Sequence, residues 1–166
     1  ARWFNQQHLQ RLPDEELASE FRKILEEKQI SLETEKLKIL VSLIRPRISF
    51  IHEFWDQAWF FFIPPDDYEP SVVKKRWKED TPDKMRRLME TIGKCEPFTR
   101  ENIEKEVRQL IQENDWGMGA IMNTWRLLLV GAATGPGLFD LAAFLGREEV
   151  ISRMEKGIQH LNTRAA

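Results

Sequence analysis

Few side chains in this sequence have the type and spacing needed for chemistry, and they are scattered. Three histidines stand apart from one another and from other metal-ligating residues: His8, His52 and His160. The single cysteine, Cys95, has no histidine near it in sequence, so nothing supports a catalytic thiol. The pair Asp66-Asp67 lies among prolines, where acidic residues are common because they favour turns. The residue types alone predict no metal site and no catalytic centre.

The glycine-rich stretch from Gly131 to Gly137 invites comparison with a phosphate-binding loop. It lacks the Gly-Lys-Ser/Thr ending of such loops, and no strand pattern precedes it. A corner between two helices explains the stretch, with Pro136 as the expected first residue of the next helix.

Two arginines, Arg45 and Arg47, flank Pro46 where two helical patterns join. Because proline interrupts the helical hydrogen bonds, Arg47 is predicted to project from a stiffened bend. A guanidinium fork in that position suits bidentate contact with a base edge or a phosphate. An ordinary surface salt bridge is the alternative, and the residues alone favour it.

Aromatic residues are dense in the first half of the chain. They comprise Phe50, Phe54, Trp55, Trp59, Phe60, Phe61 and Phe62, to which Trp3, Trp77, Trp116 and Trp125 add. Aromatic stripes at helical spacing usually bury large areas, so most are expected in the core. One or two could instead stack on unpaired bases, as in proteins that bind single-stranded RNA.

Helical periodicity dominates the elements that must position these residues. Apolar stripes at helical spacing are Leu17, Phe21, Ile24 and Leu25; Leu37, Leu40, Val41, Ile44 and Ile48; Met85, Leu88, Met89 and Ile92; Ile103, Val107, Leu110 and Ile111; and Val150, Ile151, Met154, Ile158 and Leu161. Thr81 and Thr99 are predicted to cap helix starts, and Gly131 and Gly146 to follow helix ends. No stretch alternates with period two. An all-α fold of nine or ten helices follows.

Two interruptions suggest how the helices are grouped. Residues 62–70 contain three prolines and are predicted to form a loop. A second break lies near residues 93–97, and we place a subdomain boundary there, between residues 1–94 and 95–166.

Composition sets the broad class. The chain has 166 residues, of which 42% are hydrophobic and 31% charged, as in soluble globular proteins. The net charge of −2 hides an asymmetry, because Pro13 to Glu35 has eight acidic and three basic residues, whereas Pro70 to Cys95 has eight basic and four acidic. A basic face for phosphates is therefore possible. One cysteine, no signal segment and no long apolar run favour the cytoplasm, or a piece cut from a longer protein.

Several of these segments together resemble the C-terminal, anticodon-binding part of glutamyl-tRNA synthetases, which are class I aminoacyl-tRNA synthetases. The resemblance covers essentially the whole chain. It is carried in order by Trp3-Phe4-Asn5, the segment from Pro13 to Phe21, Ile44-Arg45-Pro46-Arg47, the segment from Glu53 to Phe62, Lys78-Glu79-Asp80, Met118-Gly119, Trp125-Arg126-Leu127, Gly131, the segment from Gly135 to Phe139, and Leu145-Gly146. No piece is unique, but the order and spacing together are specific.

The resemblance implies a helical cage of two small subdomains that grips the anticodon of the glutamate tRNA. It implies that Arg47 contacts the third anticodon base and rejects the glutamine tRNA, since relatives with glutamine there tend to accept both. It also implies that the first base lies in the second subdomain. The implied anticodon-binding residues are Arg45, Arg47, Arg126, Thr134, Gly135, Pro136 and Leu138. Some relatives have threonine at the position of Gly135, so a hydroxyl contact falls to Thr134 or to the backbone. Trp3 and Asn5 match positions near the tRNA-facing junction and are interpreted as structural.

The parent activity implied is ATP-dependent attachment of glutamate to tRNA. Its signatures are absent from these residues, so we expect a fragment that is inactive alone and has no cofactor, while the parent enzyme uses ATP and Mg. We expect a cytoplasmic monomer that binds glutamate tRNA and no membrane. The main alternative is a helical protein-interaction module unrelated to RNA, and a small enzyme using Cys95 is a second one.

Overall fold

The computed structural model describes residues 9–165, with the side chains of residues 10, 164 and 165 left aside. Within these residues the chain forms nine α-helices and no β-strand, which confirms the all-α prediction. Trp3, Asn5 and His8 lie outside the described residues. The chain divides into two compact units, the first ending at Trp59 and the second beginning at Phe60.

The first unit is built from three helices and three short 3-10 turns. The helices are α1 (Asp14–Glu27), α2 (Thr34–Ile44) and α3 (Phe54–Ala58), and the turns are Leu9–Arg11, Arg45–Arg47 and Ile51–Glu53. Helix α1 packs along α2, and α3 packs against α2. The rings of Phe21 on α1 and Phe54 on α3 stack with centroids 3.9 Å apart, and both are fully buried.

The second unit contains six helices. They are α4 (Pro70–Arg76), α5 (Thr81–Gly93), α6 (Arg100–Glu113), α7 (Met118–Val130), α8 (Leu138–Leu145) and α9 (Arg147–Ala165). Helix α9 packs against α5, α7 and α8, so its apolar stripe lies at the centre of this unit. Helix α4 packs against α7, and α6 packs against α5 and α8.

The predicted apolar stripes form the core of each unit. Those of α1, α2, α5, α6 and α9 contribute mostly buried side chains, as amphipathic periodicity requires. Four members lie half-buried at the edges of their stripes: Ile24, Met89, Leu110 and Ile151. The stripes therefore identify the buried helix faces correctly and blur only at their margins.

Gly131 ends α7 and must be glycine. Its φ is +84°, a left-handed conformation that other residues rarely adopt. A Cβ there would lie 2.4 Å from the carbonyl oxygen of Asp67, closer than real contacts allow. The carbonyl of Gly131 accepts a hydrogen bond from the backbone N–H of Glu69 at 2.8 Å. The end of α7 is thereby tied to the start of α4.

The helix start signals hold in one case and fail in two. The Thr99 hydroxyl accepts from the backbone N–H of Asn102 at 3.2 Å, which confirms its capping role. Thr81 is the first residue of α5 and does not cap it, because its hydroxyl bonds to the chain before the helix, accepting from Lys78 N–H and donating to the Arg76 carbonyl. Pro136 does not begin α8, which starts at Leu138, because the corner extends two residues further.

The predicted boundary between residues 94 and 95 falls inside the second compact unit. Helices α5 and α6, on either side of it, pack together. A proline-containing break in helical periodicity marks a turn between two such helices as readily as it marks the edge of a unit. Whether residues 1–94 and 95–166 act as separate anticodon-binding subdomains stays a prediction.

No helix among the described residues has both the length and the apolar character needed to cross a bilayer.

Candidate nucleic-acid interface

The Arg45–Arg47 turn presents one exposed arginine, Arg47, on the first unit. Helix α2 ends at Ile44, and a 3-10 turn carries the chain through Pro46 to the extended residue Ile48. Ile44 and Ile48 are buried on either side of the turn, so both of its ends are fixed in the core. The bend predicted from Pro46 is present, and it separates the roles of the two arginines.

Arg45 is used inside the unit. Its guanidinium donates to Asp14 Oδ1 at 2.9 Å, to the Leu9 carbonyl at 3.1 Å and to the Leu12 carbonyl. These acceptors lie at or just before the start of α1, more than thirty residues away in sequence. Arg45 therefore fastens the turn to the start of α1. Its predicted contact with an anticodon stays a prediction, and its geometry supports a positioning role.

Arg47, unlike Arg45, is exposed. Its Nε donates to Gln57 Oε1 at 3.3 Å, and within the described residues neither terminal Nη has a hydrogen bond or an ion pair. An acceptor on Nε alone leaves the outer edge of the guanidinium, with its paired N–H groups, open to solvent. That edge is suited to two adjacent acceptors on a base or a phosphate.

Gln57 is held by the packing of α3. Two buried neighbours, Phe54 and Ala58, fix the inner face of this short helix, and Gln57 lies half-buried on its flank. The turn before α3 is braced by Glu53, whose carboxylate accepts from the backbone N–H groups of Ser49 and Phe50 at 3.0 and 2.8 Å. The partner of Arg47 therefore stands on a braced element.

The second unit brings Arg126 and Gly135 together. Arg126 lies half-buried on α7, and Gly135 follows in the corner between α7 and α8 with φ +149°. A Cβ on Gly135 would lie 2.7 Å from Arg126 Nη1 and 3.7 Å from the Phe60 ring. The guanidinium therefore occupies the space that a side chain at 135 would need, and a threonine there would force Arg126 to move.

The other predicted corner residues differ in accessibility. Thr134 is exposed, whereas Pro136 is buried and Leu138 is 3% exposed. Pro136 and Leu138 therefore shape the corner from within and offer little side-chain surface. Thr134 is the exposed side chain of this group, whereas Arg126 and Gly135 are half-buried. The structure thus groups five of the predicted residues in this corner, while Arg45 and Arg47 belong to the first unit.

Arg153 is a buried residue of the second unit that the sequence reasoning missed. It is 1% exposed, and its Nη1 donates to the carbonyls of Phe60 at 2.6 Å and Leu129 at 2.9 Å. Its Nε pairs with Glu149 Oε2 at 2.7 Å. Burial lowers the pKa of Arg153, and the Glu149 carboxylate opposes that shift. Its place three residues after Val150, on the buried stripe of α9, was the available signal.

The residues considered for catalysis form no reactive group. Cys95 is 3% exposed, and burial, reinforced by the nearby Glu106 carboxylate, raises the pKa of its thiol. The thiolate needed for nucleophilic attack is therefore disfavoured at neutral pH. Among the described residues, no three His, Cys, Asp or Glu side chains are grouped as a metal site would require. The geometry supports binding by arginines and gives no support to catalysis by Cys95.

Comparison with known proteins decides the family. Residues 15–158 match the family described as the anticodon binding domain. This chain belongs to the anticodon binding domain family. The chain is 44% identical over 160 residues to a glutamate–tRNA ligase of Porphyromonas gingivalis and 42% identical over 159 residues to one of Bacteroides thetaiotaomicron. Each alignment covers 96% of this anticodon-binding domain and 32% of the relative, so the chain spans about a third of their length.

Solved structures agree. The fold of this anticodon-binding domain is similar to that of a glutamate tRNA ligase from Elizabethkingia meningosepticum CCUG26117, with a TM-score of 0.88 and 35% identity over 96% of this chain and 32% of that one. The fold is also similar to that of a glutamate-tRNA synthetase from Elizabethkingia anophelis, with a TM-score of 0.82 and 34% identity. That comparison covers 95% of this chain and 31% of the other. The predicted resemblance to glutamyl-tRNA synthetases is confirmed. The individual anticodon contacts stay predictions.

Proposed function

We propose that this chain grips the anticodon of glutamate tRNA for a ligase whose catalytic part lies outside these residues. The observation that carries the proposal is Arg47, an exposed guanidinium on a braced turn with its outer edge open. Membership of the anticodon binding domain family and similarity to glutamate–tRNA ligases support it. The chemistry of the ligase, with ATP, Mg and glutamate, would belong to the rest of the protein, which we expect to be a cytoplasmic monomer.

Arg47 would read the third anticodon base. The outer edge of its guanidinium can donate to the acceptors of a cytosine edge, and a wrong base would present donors to it instead. An unpaired group buried in such a contact costs about 1–3 kcal/mol, which corresponds to about ten- to hundred-fold discrimination. The turn restrains the arginine beforehand, so less side-chain freedom would be lost on binding.

The corner of the second unit would hold the first anticodon base. Arg126 supplies the charged donor there, and Thr134 with the Gly135 backbone supplies shorter polar contacts. Because Arg126 fills the space beside Gly135, we infer that the guanidinium takes over the contact that a threonine makes in some relatives. Pro136 and Leu138 would set the shape against which the base packs.

Binding of the chain to tRNA tests the proposal directly. We expect weak binding to glutamate tRNA that falls steeply as salt rises from about 50 mM to about 200 mM, because lysines and arginines displace counterions from phosphates. The measurement is a titration of glutamate tRNA and glutamine tRNA by fluorescence anisotropy at both salt concentrations. Binding to neither tRNA at low salt, or binding without salt dependence, would contradict the proposal and favour the protein-interaction alternative.

Gln57 gives a second test of how Arg47 is held. Replacing Gln57 with leucine is expected to reduce the preference for glutamate tRNA over glutamine tRNA about threefold, because Arg47 would lose the one side-chain hydrogen bond that orients its guanidinium. The measurement is the ratio of the two dissociation constants. Gln57→Glu keeps an acceptor for Nε and should restore the ratio. If the leucine and glutamate variants gave the same ratio, Gln57 would have no part in orienting Arg47.

A further inference from the structure

We propose that α4 carries a second tRNA-binding surface, which contacts the phosphate backbone and reads no base. This surface, the α4 ridge, consists of Lys74, Lys75, Arg76 and Lys78 together with Trp77. The inference rests on the proposed function, because the phosphates that the ridge would contact belong to the same tRNA whose anticodon the chain is proposed to bind. Four cations occur within five consecutive residues, and no acid lies among them.

The acids that follow the ridge do not neutralise it. Of the four acidic residues between Pro70 and Cys95, three pair with cations of α5 or with Lys94 just after it. The pairs are Asp80–Lys84 at 3.0 Å, Asp83–Arg86 at 3.9 Å and Glu90–Lys94 at 3.3 Å. Within this described stretch, Glu79 alone has no basic partner. The ridge therefore keeps most of its positive charge.

Local helix stability explains only part of the ridge. Cations near a helix C-terminus interact favourably with its dipole, and Lys78 Nζ donates to the Lys74 carbonyl at 3.2 Å in this way. The positive charges of Lys74 and Lys75 are not used in this way. Lys74 and Lys75 are exposed, and within the described residues their side chains have no hydrogen bond or ion pair. The helix is held instead by Val72, which is 8% exposed.

Trp77 distinguishes nucleic acid from an acidic protein as the partner. It lies half-buried between Arg76 and Lys78 in sequence, and within the described residues its ring stacks on no other ring and lies under no cation. Aromatic side chains interleaved with cations are typical of surfaces that bind RNA, because bases stack on the ring while the cations contact phosphates. An acidic protein surface would satisfy the lysines and leave the indole face without a function.

The ridge belongs to a helix whose start is tied to the predicted base-reading corner of the same unit. Helix α4 begins at the hydrogen bond between Glu69 N–H and the Gly131 carbonyl, which is 2.8 Å long, and packs against α7, which carries Arg126. At a rise of about 1.5 Å per residue, Lys74 stands roughly 6 Å along the axis from Pro70. The ridge therefore begins about one helical turn after the start of α4, the end that is tied to the corner.

The salt dependence of tRNA binding tests the ridge in the full chain. The double variant Lys74→Gln with Lys75→Gln is expected to reduce the slope of log K against log salt by about 1.4–1.8, since each phosphate contact contributes about 0.7–0.9. Affinity should fall by the same factor for glutamate tRNA and glutamine tRNA, because phosphates carry no sequence. The matched control is Lys94→Gln with Lys105→Gln, which removes the same charge from exposed positions of the same unit.

The outcomes separate the ridge from the proposed function. If the ridge variant and the control had equal slopes and affinities while the unaltered chain bound tRNA, the ridge proposal would be wrong and the proposed function would stand. A ridge variant that lost affinity for one tRNA only would also overturn it, because that result requires base reading. Absence of salt-dependent binding by the unaltered chain would refute both.

Discussion

Replacing Arg47 with glutamine is expected to reduce the preference for glutamate tRNA over glutamine tRNA about ten- to hundred-fold. Glutamine has neither the positive charge nor the paired N–H groups of the guanidinium. The wrong third base would then no longer leave a guanidinium unsatisfied, which in the unaltered chain costs about 1–3 kcal/mol of binding free energy. The measurement is the ratio of the two dissociation constants at about 50 mM salt, where both complexes are strongest. Most of the change should come from improved binding of glutamine tRNA.

Arg11→Gln is the matched control, because it makes the same substitution and charge change at another exposed position of the first unit. It should weaken both complexes alike, if at all, and leave the ratio unchanged. An Arg47→Gln variant with an unaltered ratio would show that Arg47 does not read the third base. The family assignment would survive that result, since it depends on the match over residues 15–158.

Replacing Arg153 with methionine is expected to lower the free energy of unfolding by about 2–4 kcal/mol. The Phe60 and Leu129 carbonyls would lose their buried donor, at about 1–3 kcal/mol each. Part of that loss is offset, because the desolvation of a buried cation disappears with the charge. Glu149 adds little to the loss, since its side chain is 40% exposed and regains water. Urea unfolding followed by circular dichroism measures the change.

The control for Arg153 is Arg108→Met, which breaks an ion pair with Glu104 on the surface of α6. Exposed pairs contribute about 0–1 kcal/mol, so this variant should unfold close to the unaltered chain. If Arg153→Met proved as stable as Arg108→Met, the buried hydrogen bonds would not stabilise the unit. Leu129 lies two residues before Gly131, so we also expect Arg153→Met to loosen the corner for which base reading is proposed.

Local sequence patterns predicted what depends on near neighbours. Apolar periodicity identified the buried faces of five helices, and Pro46 correctly predicted the turn after α2, because helix faces and proline bends are set within a few residues. The start of α8 was placed two residues early, at Pro136, since a proline is compatible with a corner as well as with a helix start. The break near residues 93–97 lies in the turn between α5 and α6, and the subdomain boundary predicted there stays a prediction.

Contacts between residues far apart in the chain could not be predicted from local sequence patterns. The Arg45 guanidinium donates hydrogen bonds to the Leu9 and Leu12 carbonyls, and the sequence of residues 9–12 contains no pattern that predicts this contact. The link from Arg47 to Gln57 and the approach of Arg126 to Gly135 likewise depend on how helices pack. The resemblance supplied the candidate residues, and the fold indicates which of them expose a donor and which are shielded.

Arg45 and Arg47 differ in how strongly the first unit depends on them, and this difference has an evolutionary consequence. Arg45 fastens the turn to the start of α1, whereas Arg47 makes only one exposed hydrogen bond to its own chain. Replacing Arg47 should therefore change the free energy of unfolding by no more than about 0.5 kcal/mol. If Arg47 reads the third anticodon base as proposed, a single substitution of Arg47 would broaden or narrow the set of tRNAs accepted without a compensating change elsewhere. The choice of tRNA and the stability of the fold would then be under independent selection, so specificity could change in one step without loss of stability.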